Sequence, residues 1–259
     1  MTGDGRRVAV VGASSGLGRS IALGLAARGD RVAMLARRRH RLDAAVDEAG
    51  AAATAVVCDV TDAAACSAAI DAACDALGGL DALVYSTGVI AIEPIAATTT
   101  DTWRQLFETN VIGAATATRA AIPHLSASHG RAVYLSSVSA ALTPAWPYLG
   151  AYSSSKAALD KMVEAWREEH PEVRFTRMVV GDCAGGEGHS GTELATGIGP
   201  ERFLDAVGAW DRRGHRNGGL VDTADLVDAV DLLLHSAATI STISVVPGPP
   251  QRRPVPPGT

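Results

Sequence analysis

Seven short β-branched runs alternate along this chain with alanine-rich stretches of helical length. No other feature constrains the fold as much. The runs are Val8–Val11, Arg31–Leu35, Ala55–Val57, Leu80–Tyr85, Arg131–Leu135, Val173–Val180 and Ile240–Val246. Between them lie stretches 16–28, 39–49, 62–77, 101–127, 150–169 and 222–236. Strands alternating with helices of this length read as crossover units, which build a parallel sheet covered on both faces. Right-handed crossovers then predict an α/β fold, a doubly wound parallel sheet of about seven strands. One domain over 1–247 is expected.

Composition excludes several classes. The chain is 47% apolar and 20% charged, enough apolar material for a packed core and too much for a disordered chain. A net charge of -5 argues against nucleic acid as a partner, because phosphate binding wants a basic face. No apolar run reaches the roughly 18 residues of a membrane helix, so no membrane partner is expected. Residues 1–7 lead straight into the first strand without the pattern of a secretion signal. Cys58, Cys66, Cys74 and Cys183 form no C-x-x-C, and a cytoplasmic location is expected. The dispersed histidines, His189 and His215 among them, lack metal-ligand spacing, so no metal site is expected. Only Lys156 and Lys161 are lysine among 23 basic residues.

Two segments break the alternation. Residues 182–219 are rich in glycine, with no strand and a helical stretch near Pro200–Arg213. A loop this long inside a compact domain reads as a lid over a substrate. Residues 248–259 read as a proline-rich, mobile tail.

The first strand runs into Gly12-Ala13-Ser14-Ser15-Gly16-Leu17-Gly18 and then a helix. Glycines at such a turn let backbone N–H groups approach a pyrophosphate at the helix N-terminus, as in a Rossmann-type dinucleotide site. Ser14 and Ser15 add hydroxyl donors. The end of the second strand selects the dinucleotide. An acidic residue there would hold the ribose 2′-hydroxyl of NAD, but the sequence reads Ala36-Arg37-Arg38-Arg39. A guanidinium fork matches a phosphate, so Arg37, and after it Arg38, is expected to take the 2′-phosphate of NADP(H). The bland alternative is a solvated helix start. Asp59, before Val60, closes the third strand and either accepts from an adenine amino group or caps the next helix, for which Thr61 and Asp62 are better placed. The fourth strand ends Tyr85-Ser86-Thr87-Gly88, where glycine again admits a close ligand.

Tyr152 and Lys156 stand four apart at the start of a helical stretch, so they share a face. A cation beside a phenol favours the phenolate and fits tyrosine for acid–base work. A surface pair is the alternative, weakened by the scarcity of lysine. The fifth strand ends in Ser136-Ser137, at the same sheet edge. Gly12, Arg37, Asp59, Gly88, Ser137 and Gly181 each follow a strand's carboxyl end, where open α/β sheets bind ligands.

Taken together, these residues resemble the short-chain dehydrogenase/reductase family, from about residue 6 to 181 and more weakly to 246. The glycine motif matches at Gly12, Gly16 and Gly18, the Tyr-x-x-x-Lys at Tyr152 and Lys156, the serine at Ser137 and the asparagine at Asn110. The resemblance implies a hydride transfer between nicotinamide and a small-molecule carbonyl or secondary alcohol. It implies that Tyr152 exchanges the proton, Lys156 lowers the tyrosine pKa and holds the nicotinamide ribose, Ser137 bonds the substrate oxygen, and Asn110 supports a relay water. The cofactor contacts it implies are Gly12, Ser14, Ser15, Gly16, Leu17 and Gly18, then Arg37 and Arg38, Asp59 and Val60, Ser86, Gly88 and Gly181, with Tyr152 and Lys156. A homodimer or homotetramer built on 101–127 and 150–169 is also implied. The rival readings are an NAD-dependent alcohol dehydrogenase and a non-catalytic dinucleotide-binding regulator on the same fold.

The sequence departs from the family pattern in four places. Val11 stands where the family has threonine, and Tyr85-Ser86-Thr87-Gly88 replaces Asn-Asn-Ala-Gly. The first two sites bond each other in the family, so both changes together read as a matched loss. Val180-Gly181 replaces Pro-Gly, and Gly185 replaces a threonine that helps hold the nicotinamide carboxamide, with Ser190 and Thr192 as substitutes. Ser139 lies at the common family spacing of 13 residues before Tyr152, and Ser137 lies 15 before it. Ser137 is preferred because it ends the strand. Cys183 and Trp146 are candidates to line the substrate pocket.

Overall fold

β1 (Arg7–Val11) is buried on both faces from Val8 onward. Ala9 and Val11 enter one core, and Val8 and Val10 enter another. That is the period-2 geometry of a strand with helices above and below. The structure is a computed structural model and describes residues 5–183, 198–216 and 219–248. β2 (Arg31–Ala36), β3 (Ala53–Val57), β4 (Ala82–Tyr85), β5 (Arg131–Ser137), β6 (Arg174–Val180) and β7 (Thr242–Val245) complete the sheet. All pairs are parallel, in the order β3-β2-β1-β4-β5-β6-β7. The order reverses between β1 and β4, and that switch point is where such sheets open a ligand crevice.

One core lies under α3 (Ala63–Leu77), α5 (Gly113–Ser128) and α7 (Gly150–Glu169), through Ile70, Leu125, Leu159 and Val163. The other lies under α1 (Gly16–Ala27), α2 (Arg39–Ala49) and α9 (Thr223–His235), through Ile21, Leu25, Leu42 and Val230. Each fully buried side chain of this size contributes about 1.5–3 kcal/mol. At the amino ends of the strands, Arg6 pairs with Asp30 and Asp231, and Arg7 pairs with Asp81. Ion pairs close that edge of the sheet.

The expected helix over 101–127 is interrupted. α4 (Thr100–Phe107) passes into a π turn at Glu108–Ile112 before α5 begins. Residues distant in the chain hold it: Tyr85 Oη donates to the Thr109 carbonyl at 2.8 Å, and Asn110 bonds the backbone of Val89. Such turns recur at functional sites. A one-turn helix, α6 (Val138–Ala141), occupies the loop after β5, and α8 (Pro200–Arg212) lies where the lid was expected to be helical. Cys183 forms a parallel bridge with Val221, so the lid segment begins with a strand contact that its composition does not reveal. Residues 184–197 and 217–218 of the expected lid lie outside the described residues, as does the tail from 249. Gly185, His189, Ser190 and Thr192 fall there. Among the described residues no helix is long and apolar enough to cross a membrane.

Candidate active site

A cleft of about 760 Å³ opens along the carboxyl ends of the strands. Gly12, Arg37, Asp59, Gly88, Ser137 and Gly181 all line it, as the strand-end reading requires.

At one end is the glycine turn. Gly12 has φ +97° and Gly16 φ +57°, the left-handed region that glycine adopts without strain. A Cβ on Gly18 would lie 2.4 Å from the Gly12 carbonyl oxygen, so only glycine lets α1 begin this close to β1. Ser15 is the N-cap of α1 yet makes no side-chain cap bond, which leaves the leading N–H groups facing the cleft beside Gly16, Leu17 and Gly18. That edge suits the diphosphate of a dinucleotide. Ser86 supplies the link between β1 and β4. Its hydroxyl donates to the Val11 carbonyl at 2.7 Å, a tie that needs no threonine at position 11.

Beyond the turn the cleft is basic. Arg38 donates to both Ser14 Oγ and Ser15 Oγ at 3.0 Å, which fixes its guanidinium at the cleft wall. Arg37 is exposed at the end of β2 and also lines the cleft. Arg39 turns away to pair with Asp43. Asp59 does not cap α3. Asp62 does that, accepting from Ala64 N and Ala65 N. Asp59 accepts from the amide and hydroxyl of Thr61. Burial alone would raise its pKa, but these bonds and the charge of Arg37 hold it below the usual carboxylate value.

At the other end four polar side chains gather. Tyr152 and Lys156 lie on the buried face of α7 and line the cleft with Ser137. Burial raises the Tyr152 phenol to about 12, against a hydrogen bond with Ser137 that lowers it. The shift is upward, opposite to the effect expected of a neighbouring cation. Lys156 Nζ donates to the Leu135 carbonyl at 2.8 Å. Burial lowers its pKa to about 8, with Asp160 acting to raise it. Asn110 is fully buried; its Oδ1 accepts from Val89 N at 2.8 Å and its Nδ2 donates to Ser155 Oγ at 2.9 Å. A Cβ on Gly88 would lie 3.4 Å from both Asn110 Oδ1 and Lys156 Nζ, so these two groups converge on one point. Ser139 is buried between Ser137 Oγ and Ser153 Oγ, at 3.0 Å from each.

The profile of the short chain dehydrogenase family matches residues 6–185. The chain belongs to that family. It is 36% identical over 168 residues to galactitol 2-dehydrogenase (L-tagatose-forming) of Cereibacter sphaeroides, covering 64% of this chain and 66% of that one. It is 33% identical over 183 residues to 11-beta-hydroxysteroid dehydrogenase A of Sesamum indicum, covering 68% of this chain and 52% of that one. The chain thus matches between half and two thirds of the length of these relatives. A solved short-chain dehydrogenase from Streptomyces avermitilis superposes with a TM-score of 0.80 at 29% identity, over 95% of this chain and 89% of that one.

Short-chain dehydrogenases are oxidoreductases that bind a nicotinamide dinucleotide. In this member the fold brings every described candidate residue except Asn110 to the wall of one cleft: Val60, Ser86, Cys183 and Trp146 line it too. Asn110 is not on its wall but sits directly behind Gly88. The sequence reading missed Asp160, buried four residues beyond Lys156. Burial raises its carboxyl pKa, while Ser136, Arg177 and Lys156 act to lower it. Its signal was available, since the i+4 spacing that relates Tyr152 to Lys156 repeats once more. Trp210 was also missed. Only tertiary packing brings it 5.4 Å from Trp146 across the cleft wall.

Proposed function

We propose that the protein is an NADP(H)-dependent oxidoreductase that interconverts a carbonyl compound and its secondary alcohol. The observation that carries this is the convergence of Ser137, Tyr152 and Lys156 at one end of a cleft, with Asn110 behind Gly88, while the other end holds the glycine turn and two arginines. A nicotinamide dinucleotide bound along the cleft supplies or accepts the hydride. Gly12, Gly16 and Gly18 would admit its diphosphate to the start of α1, and Arg37 and Arg38 would hold a 2′-phosphate. Ser137 and Tyr152 donate hydrogen bonds to the carbonyl oxygen, and Tyr152 gives its proton as negative charge develops there. A phenol held near 12 is fully protonated at neutral pH, the form an acid needs. Lys156 has three N–H donors and spends one on Leu135. Two remain for ribose hydroxyls. Asn110 Oδ1 and Lys156 Nζ flank a point where a water would pass protons to the phenol. The test is oxidation of NADPH in the presence of a panel of carbonyl compounds. A dinucleotide-binding regulator would bind NADPH and turn over none of them.

Cofactor choice follows from the arginines. Arg37→Ala and Arg38→Ala should each remove a charge-assisted contact worth about 1.5–3 kcal/mol, raising the NADPH Kd roughly 10- to 150-fold. NADH affinity should stay nearly constant. Titration of both cofactors against wild type and variants decides it, and equal affinity in the wild type would exclude the NADP(H) assignment.

The two serines separate by role. Both serines line the cleft, but Ser137 ends β5 and lowers the phenol's pKa, whereas Ser139 Oγ is held between Ser137 Oγ and Ser153 Oγ. Ser137→Ala should therefore cut kcat at least about tenfold more than Ser139→Ala. A larger loss for Ser139→Ala would move the substrate-binding hydroxyl to position 139.

A further inference from the structure

The wall around Tyr152 is built of carbon. Ile92, Val138, Trp146, Leu149 and Trp210 pack with Tyr152 into one apolar cluster, and all of them line the cleft. The polar atoms of this wall are turned inward. Trp146 Nε1 donates to Thr143 Oγ1, and Trp210 Nε1 donates to the Pro147 carbonyl, each at 2.6 Å. The Cys183 thiol donates to the Val221 carbonyl. Ser139 is enclosed by its two serine neighbours. The imidazole of His215 stacks flat on Trp146, with ring centres 5.3 Å apart, and extends the aromatic surface.

Besides Lys156, two charged residues line this end among the described residues, and each faces the other. Arg216 Nε lies 3.1 Å from Asp182 Oδ2, and its Nη1 lies 3.4 Å from Asp211. The pair cancels, and the Lys156 ammonium, assigned above to the nicotinamide ribose, is the other cation at this end. Toward solvent the rim is apolar as well. Phe203, Leu204 and Leu220 line the cleft while 40%, 67% and 56% exposed. Large apolar side chains left in water at the mouth of a cleft mark a surface that binds something. Ser137 and Tyr152 then stand as a hydroxyl pair set in a hydrocarbon and indole wall, suited to one oxygen on an otherwise apolar body.

We infer that the substrate is a bulky, uncharged, largely apolar carbonyl compound or the corresponding secondary alcohol, of the aryl or polycyclic ketone class, and not a sugar or polyol. The inference rests on the oxidoreductase reading and names the substrate class of the same site. A polyhydroxylated substrate would place its hydroxyls against indole and aliphatic carbon without partners, and unpaired polar groups are what binding sites reject most strongly. An aryl ketone loses nothing there and covers the exposed rim.

The test uses the full-length protein with NADPH and three ketones: α-tetralone as the apolar probe, fructose and dihydroxyacetone as the polar ones. kcat/KM for α-tetralone should exceed that for either polar ketone by about 100-fold or more. Calorimetry should show saturable binding of α-tetralone to the protein saturated with NADP⁺. The double substitution Phe203→Ser with Leu204→Ser removes rim carbon at exposed positions, where folding should tolerate it. It should raise the Kd and KM for α-tetralone about tenfold, with a smaller change in kcat. If fructose or dihydroxyacetone is reduced as efficiently as α-tetralone, the apolar assignment is overturned and the oxidoreductase reading stands. If α-tetralone neither binds nor reacts, the apolar assignment is overturned too. If it binds saturably, the rim variant weakens that binding and no ketone is turned over, the apolar site stands and the oxidoreductase reading falls.

Discussion

Tyr152→Phe should lower turnover by about 10²–10⁴-fold, the usual worth of a positioned general acid, and leave the folded protein almost unchanged. The ring is buried in the apolar cluster with Trp146 and Leu149, and phenylalanine keeps all of that packing. Ser137, the side chain that lowers the phenol's pKa, keeps Ser139 as a neighbour. Burial holds the phenol neutral to about pH 12 against an ordinary value of 10.0. A raised tyrosine pKa therefore affects stability only in alkali: between pH 10 and about 12 the unfolded chain loses this proton first, and the wild type weakens there. At neutral pH the two proteins should melt together. NADPH affinity should also survive, because Lys156 and the glycine turn remain. Turnover of an accepted ketone and the thermal midpoint are the two measurements. Near-normal turnover in Tyr152→Phe would remove Tyr152 from the chemistry.

Lys156→Met should separate stability from function in the opposite sense. Turnover should fall by about 10²-fold or more, and NADPH affinity should fall with it, which the tyrosine variant should not show. Yet the variant should be the more stable protein at pH 7. The ammonium is buried and its pKa is lowered from 10.5 to about 8, so folding at neutral pH carries the cost of a buried charge. The sign follows from linkage. Between about pH 8 and 10.5 the unfolded chain binds more protons than the folded one, so wild-type stability rises with pH across that window. Methionine removes the cost, for a gain of at most about 3 kcal/mol at pH 7. The gain shrinks toward pH 10, and it is reduced throughout because Asp160 then keeps only Arg177 as a cationic neighbour. The same titration predicts that wild-type NADPH affinity weakens as pH rises through about 8, when the ammonium loses its proton. Unaltered NADPH affinity in Lys156→Met would show that this lysine does not hold the cofactor.

The parts of this protein legible in its sequence are those governed by local rules. Strand and helix follow from hydrophobic period. The glycine turn follows from backbone freedom at Gly12 and Gly16, and the shared face of Tyr152 and Lys156 follows from helical spacing. Strand-end residues meet at one edge because every strand in a parallel sheet points the same way. Where the sequence reading went astray, a distant residue had intervened. Residues 101–127 have the composition of one helix, but Tyr85 takes the Thr109 carbonyl and opens a π turn that no local pattern in that segment encodes. Spacing predicted a cation beside a phenol and a lowered tyrosine pKa, whereas burial of both groups raises the phenol and lowers the ammonium.

By itself, then, the sequence determined the α/β architecture, the family, the glycine turn and the strand-end positions that meet along the cleft. Each of these depends on residue type and on spacing within one turn or one strand. The tertiary structure decided the rest. It pinned Arg38 to Ser14 and Ser15, set Asp160 behind Lys156, and brought Trp210 against Trp146 on the cleft wall. These are questions of burial and of contact between segments far apart in the chain. Desolvation and long-range packing act only once the chain has closed.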